Sequence, residues 1–135
     1  MRDGLVFPDV GDCLMDLIDG VEFPSGTVNA VRWLSANPDG SLVGPFPLVH
    51  ITEQPGGTQG WVDQVTRWTL DAYAPGNQAQ DTLRAVNAHI VGVSIETPSG
   101  YLDEIRPITT PTDVPTGSDS LNRATAMFDV TVRPL

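Results

Sequence analysis

Long alternation between apolar and polar side chains in two segments limits what this chain can fold into. Residues 122–133 (NRATAMFDVTVR) carry small or apolar side chains at every second position. Residues 61–74 (WVDQVTRWTLDAYA) follow the same period from Trp68 onward, with mostly polar side chains between. Because successive side chains of a strand point to opposite faces, this period predicts two long strands with one buried and one solvated face. Sheets covered on one side only are typically antiparallel.

Two other segments carry the period of an α-helix. The first covers residues 9–18, where Asp9 is suited to cap the N-terminus and Gly20 ends the pattern. The second covers residues 77–90, with Asn77 as the candidate cap. Apolar side chains recur in both at spacings of three or four residues, so each helix has one face for a core.

The remaining segments complete a predicted α+β fold. Residues 54–60 (QPGGTQG) are polar and glycine-rich, and residues 107–120 carry three prolines and few apolar side chains, so both are predicted to be protruding loops. The prediction is a mostly antiparallel twisted sheet with two helices packed on one face, in a single domain over residues 1–135. Shorter strands are predicted at residues 27–35, 45–53, 91–96 and 101–106, with turns at 38–40 and 97–100.

The charge of the chain opposes nucleic-acid binding. Seventeen acidic residues face seven basic ones, all arginine, and the formal net charge is −10. The arginines are scattered, so no basic stripe exists to neutralise phosphates. Trp33, Trp61 and Trp68 could stack bases, but with this charge they are expected to pack in the core and at strand ends.

Targeting signals are not recognisable in the sequence. Cys13 is the only cysteine and cannot form an internal disulfide. The N-terminus lacks a basic segment followed by an apolar one, and no apolar run approaches the ~20 residues that span a bilayer. We therefore expect a protein made in a cytoplasm, with no membrane partner.

Candidate catalytic and metal-binding residues are few and isolated. His50 and His89 have no Cys, His or carboxylate at metal-ligand spacing, and Cys13 is expected to be a small buried side chain. Asp12 and Asp16 share a helix face and, without a basic partner, are interpreted as plain surface. The sequence predicts no enzyme, no metal site and no cofactor.

Residues 45–74 resemble the central part of the tail terminator proteins of long-tailed bacteriophages, especially those of actinobacterial hosts. These proteins are also called tail completion or tail-to-head joining proteins. The resemblance rests on a proline-led apolar strand, a Gly-Gly loop, a polar stretch with an aspartate, a long strand ending near Tyr-Ala, and an amphipathic helix. Here these are residues 47–53, Gly56-Gly57, Asp63, residues 68–74 and residues 77–90.

The rest of the chain is similar to the same family. The first helix, a hairpin at residues 91–106, a proline-rich stretch at 107–119 and a final strand at 122–133 all fit. Membership would imply a homo-hexameric ring on the head-proximal end of the tail tube. The ring ends tube polymerisation, contacts the tail tube protein and presents a surface to the head's connector or stopper. Genome DNA passes through its lumen without specific binding, and acidic side chains lining the lumen would keep it from sticking.

We expect the two predicted loops to carry the axial contacts of such an assembly. Alternatives are another neck or tail component, such as a stopper or tube subunit, a small ligand-binding or hydrolytic α+β domain, and a nucleic-acid binder that the charge disfavours. The candidate interface residues are Gln54, Gly56, Gly57, Thr58, Gln59, Thr110, Thr112, Asp113, Asp119 and Arg123.

Overall fold

The computed structural model describes residues 6–60, 63–114 and 121–135, and these form an α+β fold with a mostly antiparallel sheet, as predicted. Two helices and nine strands follow one another along the chain. They are α1 (Val10–Ile18), β1 (Glu22–Phe23), β2 (Gly26–Thr27), β3 (Asn29–Val31), β4 (Leu48–Gln59), β5 (Gln64–Ala74), α2 (Gln78–Ile90), β6 (Ile95–Thr97), β7 (Gly100–Pro107), β8 (Thr112–Val114) and β9 (Asn122–Val132).

The two long alternating strands form the centre of the main sheet. β5 and β9 pair antiparallel over their whole length, from Gln64 opposite Val132 to Ala74 opposite Asn122. The sheet has the order β3-β4-β5-β9-β7-β6. On the far side of β9, β7 pairs with its C-terminal half and β8 with its N-terminal half. The prediction of these two strands is confirmed.

Both helices pack on one face of this sheet, as predicted. The side chains of β5 and β9 that face the helices are almost completely buried, with Leu70 and Phe128 at the centre. α1 begins after Asp9, whose carboxylate accepts hydrogen bonds from two backbone amides of the first turn. Asn77 precedes α2, but its side chain makes no capping hydrogen bond, so that predicted cap is wrong.

The N-terminal strand differs from its prediction. A single strand at residues 27–35 is predicted, but the segment divides into β2, the end of a small β1-β2 hairpin, and β3. β3 is only three residues long and pairs parallel to the start of β4. The turn predicted at residues 38–40 is present, with the Gly40 amide donating to the Asn37 carbonyl at 2.9 Å.

The segment 54–60 is not a loop. β4 continues through it to Gln59 and pairs with β5 across a β-bulge between Gln54 and Thr58. Gly56 and Gly57 supply the bulge, with φ angles of +130° and +91° that other residues rarely adopt. The polar composition reflects an exposed end of the hairpin and not a missing strand.

The C-terminal half is close to its prediction. β6 and β7 form the expected hairpin, with Thr97 opposite Gly100, although β6 begins later than residue 91. The proline-rich segment predicted as a loop at residues 107–120 is in part structured, because β8 pairs with β9 and the Ile108 and Thr109 amides both donate to the Met127 carbonyl. The rest of that prediction, residues 115–120, lies outside the described residues.

Cys13 is fully buried in the core, which confirms its predicted packing role. Burial raises the pKa of its thiol, and a hydrogen bond from Thr97 offsets only part of that effect. A raised pKa lowers the thiolate fraction at a given pH, and only the thiolate attacks disulfide reagents. We therefore expect labelling at about pH 8 to be on the order of 100-fold slower in the native protein than in guanidinium chloride. Equal rates would show that the core around α1 opens freely.

Candidate assembly surface

The sheet has a second face that no helix covers. We call this side of β4, β5, β7 and β9 the open face. It carries polar and charged side chains at the positions that alternate with the core, and most of them are half-buried. Its side chains are Leu48, His50, Thr52 and Gln54; Val65, Arg67, Thr69, Asp71 and Tyr73; Arg123, Thr125, Met127, Asp129 and Thr131; and Glu104 and Arg106.

Asp129 organises one end of the open face. It lies in register between Arg67 on β5 and Arg106 on β7. The Arg67 guanidinium donates two hydrogen bonds to it, Nε to Oδ1 at 3.0 Å and a terminal nitrogen to Oδ2 at 3.3 Å. Arg106 approaches Oδ2 to 3.7 Å. The hydrogen bond to Asp129 raises the pKa of Arg67, so this guanidinium stays charged.

A second ion pair occupies the other end. Arg123 on β9 approaches Asp71 on β5 with 3.5 Å between a guanidinium nitrogen and Oδ2. Asp71 is 8% exposed, yet its Oδ1 and the Arg123 Nε have no hydrogen-bond partner among the described residues. Tyr73 lies in register with Arg123, and burial raises the pKa of its phenol. The polar groups at this end are incompletely paired within one subunit.

A third pair lies at the rim of the open face. Arg133, just beyond the end of β9, approaches Asp103 on β7 to 3.0 Å and stacks on the Tyr101 ring. Four arginines and five carboxylates therefore belong to the open face and its rim, counting Glu104 and also Glu96, which lies opposite Tyr101, with the three paired aspartates. Nearly all of the net charge of −10 belongs to the other residues of the chain.

Apolar side chains are exposed beside the open face, near the β3 edge of the sheet. We call this cluster, Trp33, Leu34, Val43 and Phe46, the apolar corner. Trp33 is 78% exposed and the other three are 36–40% exposed. Trp33 and Val43 line a small cleft of about 70 Å³ whose base is Leu48 of the open face. Of the tryptophans expected to pack in the core and at strand ends, Trp68 is in the core, whereas Trp33 lies just beyond the end of β3 and is mostly exposed. Trp61 lies outside the described residues.

The structure brings part of the predicted interface onto the open face. Gln54, Thr58, Thr112 and Arg123 occupy open-face register positions, with Thr58 opposite Val65, and Gly56 lies beside the Arg67 guanidinium. The remaining residues lie elsewhere. Thr110 accepts a hydrogen bond from Thr112, and Gly57 and Gln59 lie in the bulge and at the end of β4. Asp113 faces α2, where the Gln80 amide donates to it in the orientation that satisfies both ends of that amide, and Asp119 lies outside the described residues.

Of the ion-paired residues of the open face, the sequence candidates include Arg123 but none of the group around Asp129. Arg67, Arg106 and Asp129 look like ordinary solvated strand positions in the sequence. Their alternation with buried residues is a signal that they share one face, but the sequence does not give the pairing register that makes them partners.

The contacts of Asp12 and Asp16 on the helix side of the sheet also differ from the sequence prediction. Asp12 is not unpaired surface, because Arg32 binds both Asp12 and Asp9 at 3.3 Å. The Arg32 guanidinium also lies over the rings of Trp68 and Trp33, 5.3 and 5.7 Å from their centroids. Asp16 likewise has a partner, the Ser99 backbone amide. These contacts join the start of α1 to β3 and to the β6-β7 hairpin.

Two further clefts among the described residues are open to solvent. One of about 320 Å³ lies beside Arg32 and Glu53, and another of about 460 Å³ lies between the β1-β2 turn and α2. His50 bonds the Arg32 carbonyl and His89 the Leu17 carbonyl. In residues 6–60, 63–114 and 121–135 no three His, Cys, Asp or Glu side chains group as metal ligands. No helix in these ranges has the length and apolarity to cross a bilayer.

The fold defines an α+β protein with a one-sided, mostly antiparallel sheet. Among solved structures the chain is similar to one from the virion of a native gene transfer agent particle, with a TM-score of 0.50 and 14% sequence identity. The match covers 67% of this chain and 73% of that chain. No protein-family model matches the sequence, and no curated protein matches it significantly. At this identity the likeness establishes a shared fold.

Proposed function

We propose that this protein is a structural component of a phage-like virion. The observation that carries the proposal is the fold that it shares with a chain of a gene transfer agent virion over two thirds of its length. The described surface supports the same reading, because its most organised feature is an ion-paired sheet face with an apolar corner and its clefts are open to solvent. The proposal gives the chain no catalytic role and no cofactor.

Within a virion, we propose the role of the tail terminator. The order of elements agrees with the sequence resemblance: a bulged β4-β5 hairpin, the helix α2, the β6-β7 hairpin and the long strand β9. In this role six copies close into a ring at the head-proximal end of the tail. The ring contacts the tail tube protein on one side and the head's connector or stopper on the other, and it ends tube polymerisation.

The distribution of charge supports a lumen that DNA passes without binding. Most of the excess acidic side chains lie outside the open face. We call α1, α2 and the adjoining residues up to the β1-β2 hairpin the helix layer. Its exposed acidic side chains are Asp12, Asp16, Asp19, Glu22 and Asp81. Acidic walls repel phosphates, so fixed contacts that would slow DNA passage do not form. We propose that the helix layer faces DNA in part. A ring whose channel is lined by arginine would contradict this.

Native mass measurement tests the terminator role. We expect the purified protein to form a closed assembly of six copies as its concentration is raised, because head-to-tail contacts that close by rotation limit their own growth. Negative-stain images should show rings of one size. A protein that stays monomeric over the whole concentration series would contradict the proposal.

The second candidate is another neck or tail component, namely a tube subunit or a stopper. A tube subunit would give long stacks of increasing mass in the same experiment. To separate a terminator from a stopper, purified rings are added to growing tail tubes. The terminator is expected to stop tube elongation, whereas a stopper leaves tube length unchanged.

A further inference from the structure

We infer that the open face, together with the apolar corner, is the surface by which one copy of this chain packs against the next. The inference rests on the proposed ring, which needs a lateral contact between copies. The occupant is a second copy in a head-to-tail arrangement, so that the open face meets a different surface of its neighbour.

Charge is the first reason. Two copies that each carry a net charge of −10 repel one another, so they are least opposed where the contact carries no surplus acid. The open face comes nearest to this condition, because its four arginines almost balance the five carboxylates of the face and its rim. The helix layer is further from it, since its acids outnumber Arg32 and Arg84.

Sheet edges are a weaker route to the same contact. At β3 the Ala30 amide, which would pair with an added strand, already donates to the Asp19 carboxylate at 3.0 Å. The opposite edge, β6, is only three residues long. A neighbour therefore gains few backbone hydrogen bonds at β3 or β6. The part of β4 beyond His50, beside which no described strand lies on that side, is the edge that competes with a face contact.

The composition of the surface is that of an interface core. Trp, Phe, Met and Arg are enriched in such cores, and Trp and Arg supply many of their binding hot spots. Here Trp33 and Phe46 adjoin the row formed by Leu48 and Arg123, and Met127 lies further along β9. Burying Trp33 against a neighbour removes the most exposed large apolar side chain of the described residues from water.

The arginines of the open face have donors left for a neighbour. Arg106 and Arg133 are 65% and 63% exposed, and each approaches a carboxylate of its own chain with one terminal nitrogen. A guanidinium has five N–H donors, so each can still bind a carboxylate across the contact. The exposed acids of α1, Asp12 and Asp16, are the complementary groups on the next copy.

Charge reversal tests the contact. The variant carries Arg106→Glu and Arg133→Glu, and the matched control carries Arg84→Glu on α2. We expect the double variant to need at least about tenfold higher concentration for half assembly, because acids then face acids. The control adds an acid to the helix layer and should assemble as the wild type does. Trp33→Ala, which removes no ion pair, should weaken assembly in the same direction.

Thermal unfolding followed by circular dichroism checks that each variant is folded. If the wild type forms rings and both open-face variants form them equally well, the inference is overturned while the proposed function stands. If the wild type forms no ring at all, both fail together. If Arg84→Glu alone abolishes the ring, the contact lies on α2 and not on the open face, and the inference is also overturned.

Discussion

Replacing Phe128 with alanine is expected to lower the free energy of unfolding by about 3–5 kcal/mol. Phe128 comes first by volume among the fully buried side chains of the described residues. It lies in register with Trp68 on β5 and Pro107 on β7, beneath the helices, so its loss opens a cavity at the centre of the core. Since such domains are stable by only about 5–15 kcal/mol, a large part of the stability is lost. Urea denaturation followed by circular dichroism measures it.

The adjacent residue provides the control. Met127 precedes Phe128 on the same strand but points to the open face, where it is only half-buried. Met127→Ala should cost less than about 1 kcal/mol in the isolated subunit. Similar losses in the two variants would contradict a core that lies on the helix side of β9.

The parts of the fold that can be predicted are those whose burial repeats along the chain. β9 alternates along most of its length and β5 from Trp68 onward, and α1 and α2 carry apolar stripes at helical spacing. In these elements the local pattern and the final packing agree. The side of the sheet that the helices cover follows from the same alternation.

Short and irregular elements cannot be predicted in this way. β3 and β8 have three residues each, which is too few for a period, and both exist because a longer neighbour offers a free edge. The bulge in β4 is not predicted because glycine and proline usually mark loops, whereas here Gly56 and Gly57 let the strand continue past two extra residues.

The candidate surface is predictable only in part for a related reason. The sequence indicates that Arg67 and Asp129 lie on solvated strand faces. They are 62 residues apart, and only the pairing register of β5 with β9 puts them opposite one another. The predicted candidates were drawn from loop-like composition, so they include Gln54 and Arg123 at the margins of the open face but miss its centre.

Replacing Gly57 with alanine is expected to detach the end of the β4-β5 hairpin. An added Cβ would collide with the Val65 carbonyl oxygen and lie 2.9 Å from the carbonyl carbon, both backbone atoms that no rotamer change can move. The positive φ of +91° adds strain of its own. Together these cost at least about 3 kcal/mol, so hydrogen-exchange protection at Thr58 should fall on the order of 100-fold or more.

Gly40 separates the two causes. Its φ is +88°, close to that of Gly57, but nothing lies within 4 Å of a Cβ built there. Gly40→Ala therefore has the conformational cost without the collision, and it should lower the free energy of unfolding by about 1 kcal/mol. If Gly57→Ala and Gly40→Ala lower the free energy of unfolding by the same amount, β4 does not approach β5 closely at the bulge.

The same variant distinguishes the two surfaces in assembly. Gly57, Thr58 and Gln59 belong to the segment that the sequence assigns to axial contacts, whereas the open face is assigned to lateral ones. Gly57→Ala should therefore leave the ring of six copies intact in native mass measurements but reduce the ability of that ring to stop tube elongation. Loss of the ring itself would mean that the hairpin end takes part in the lateral contact. If the variant stops tube elongation as well as the wild type although its hairpin end is detached, this segment does not take part in the axial interface.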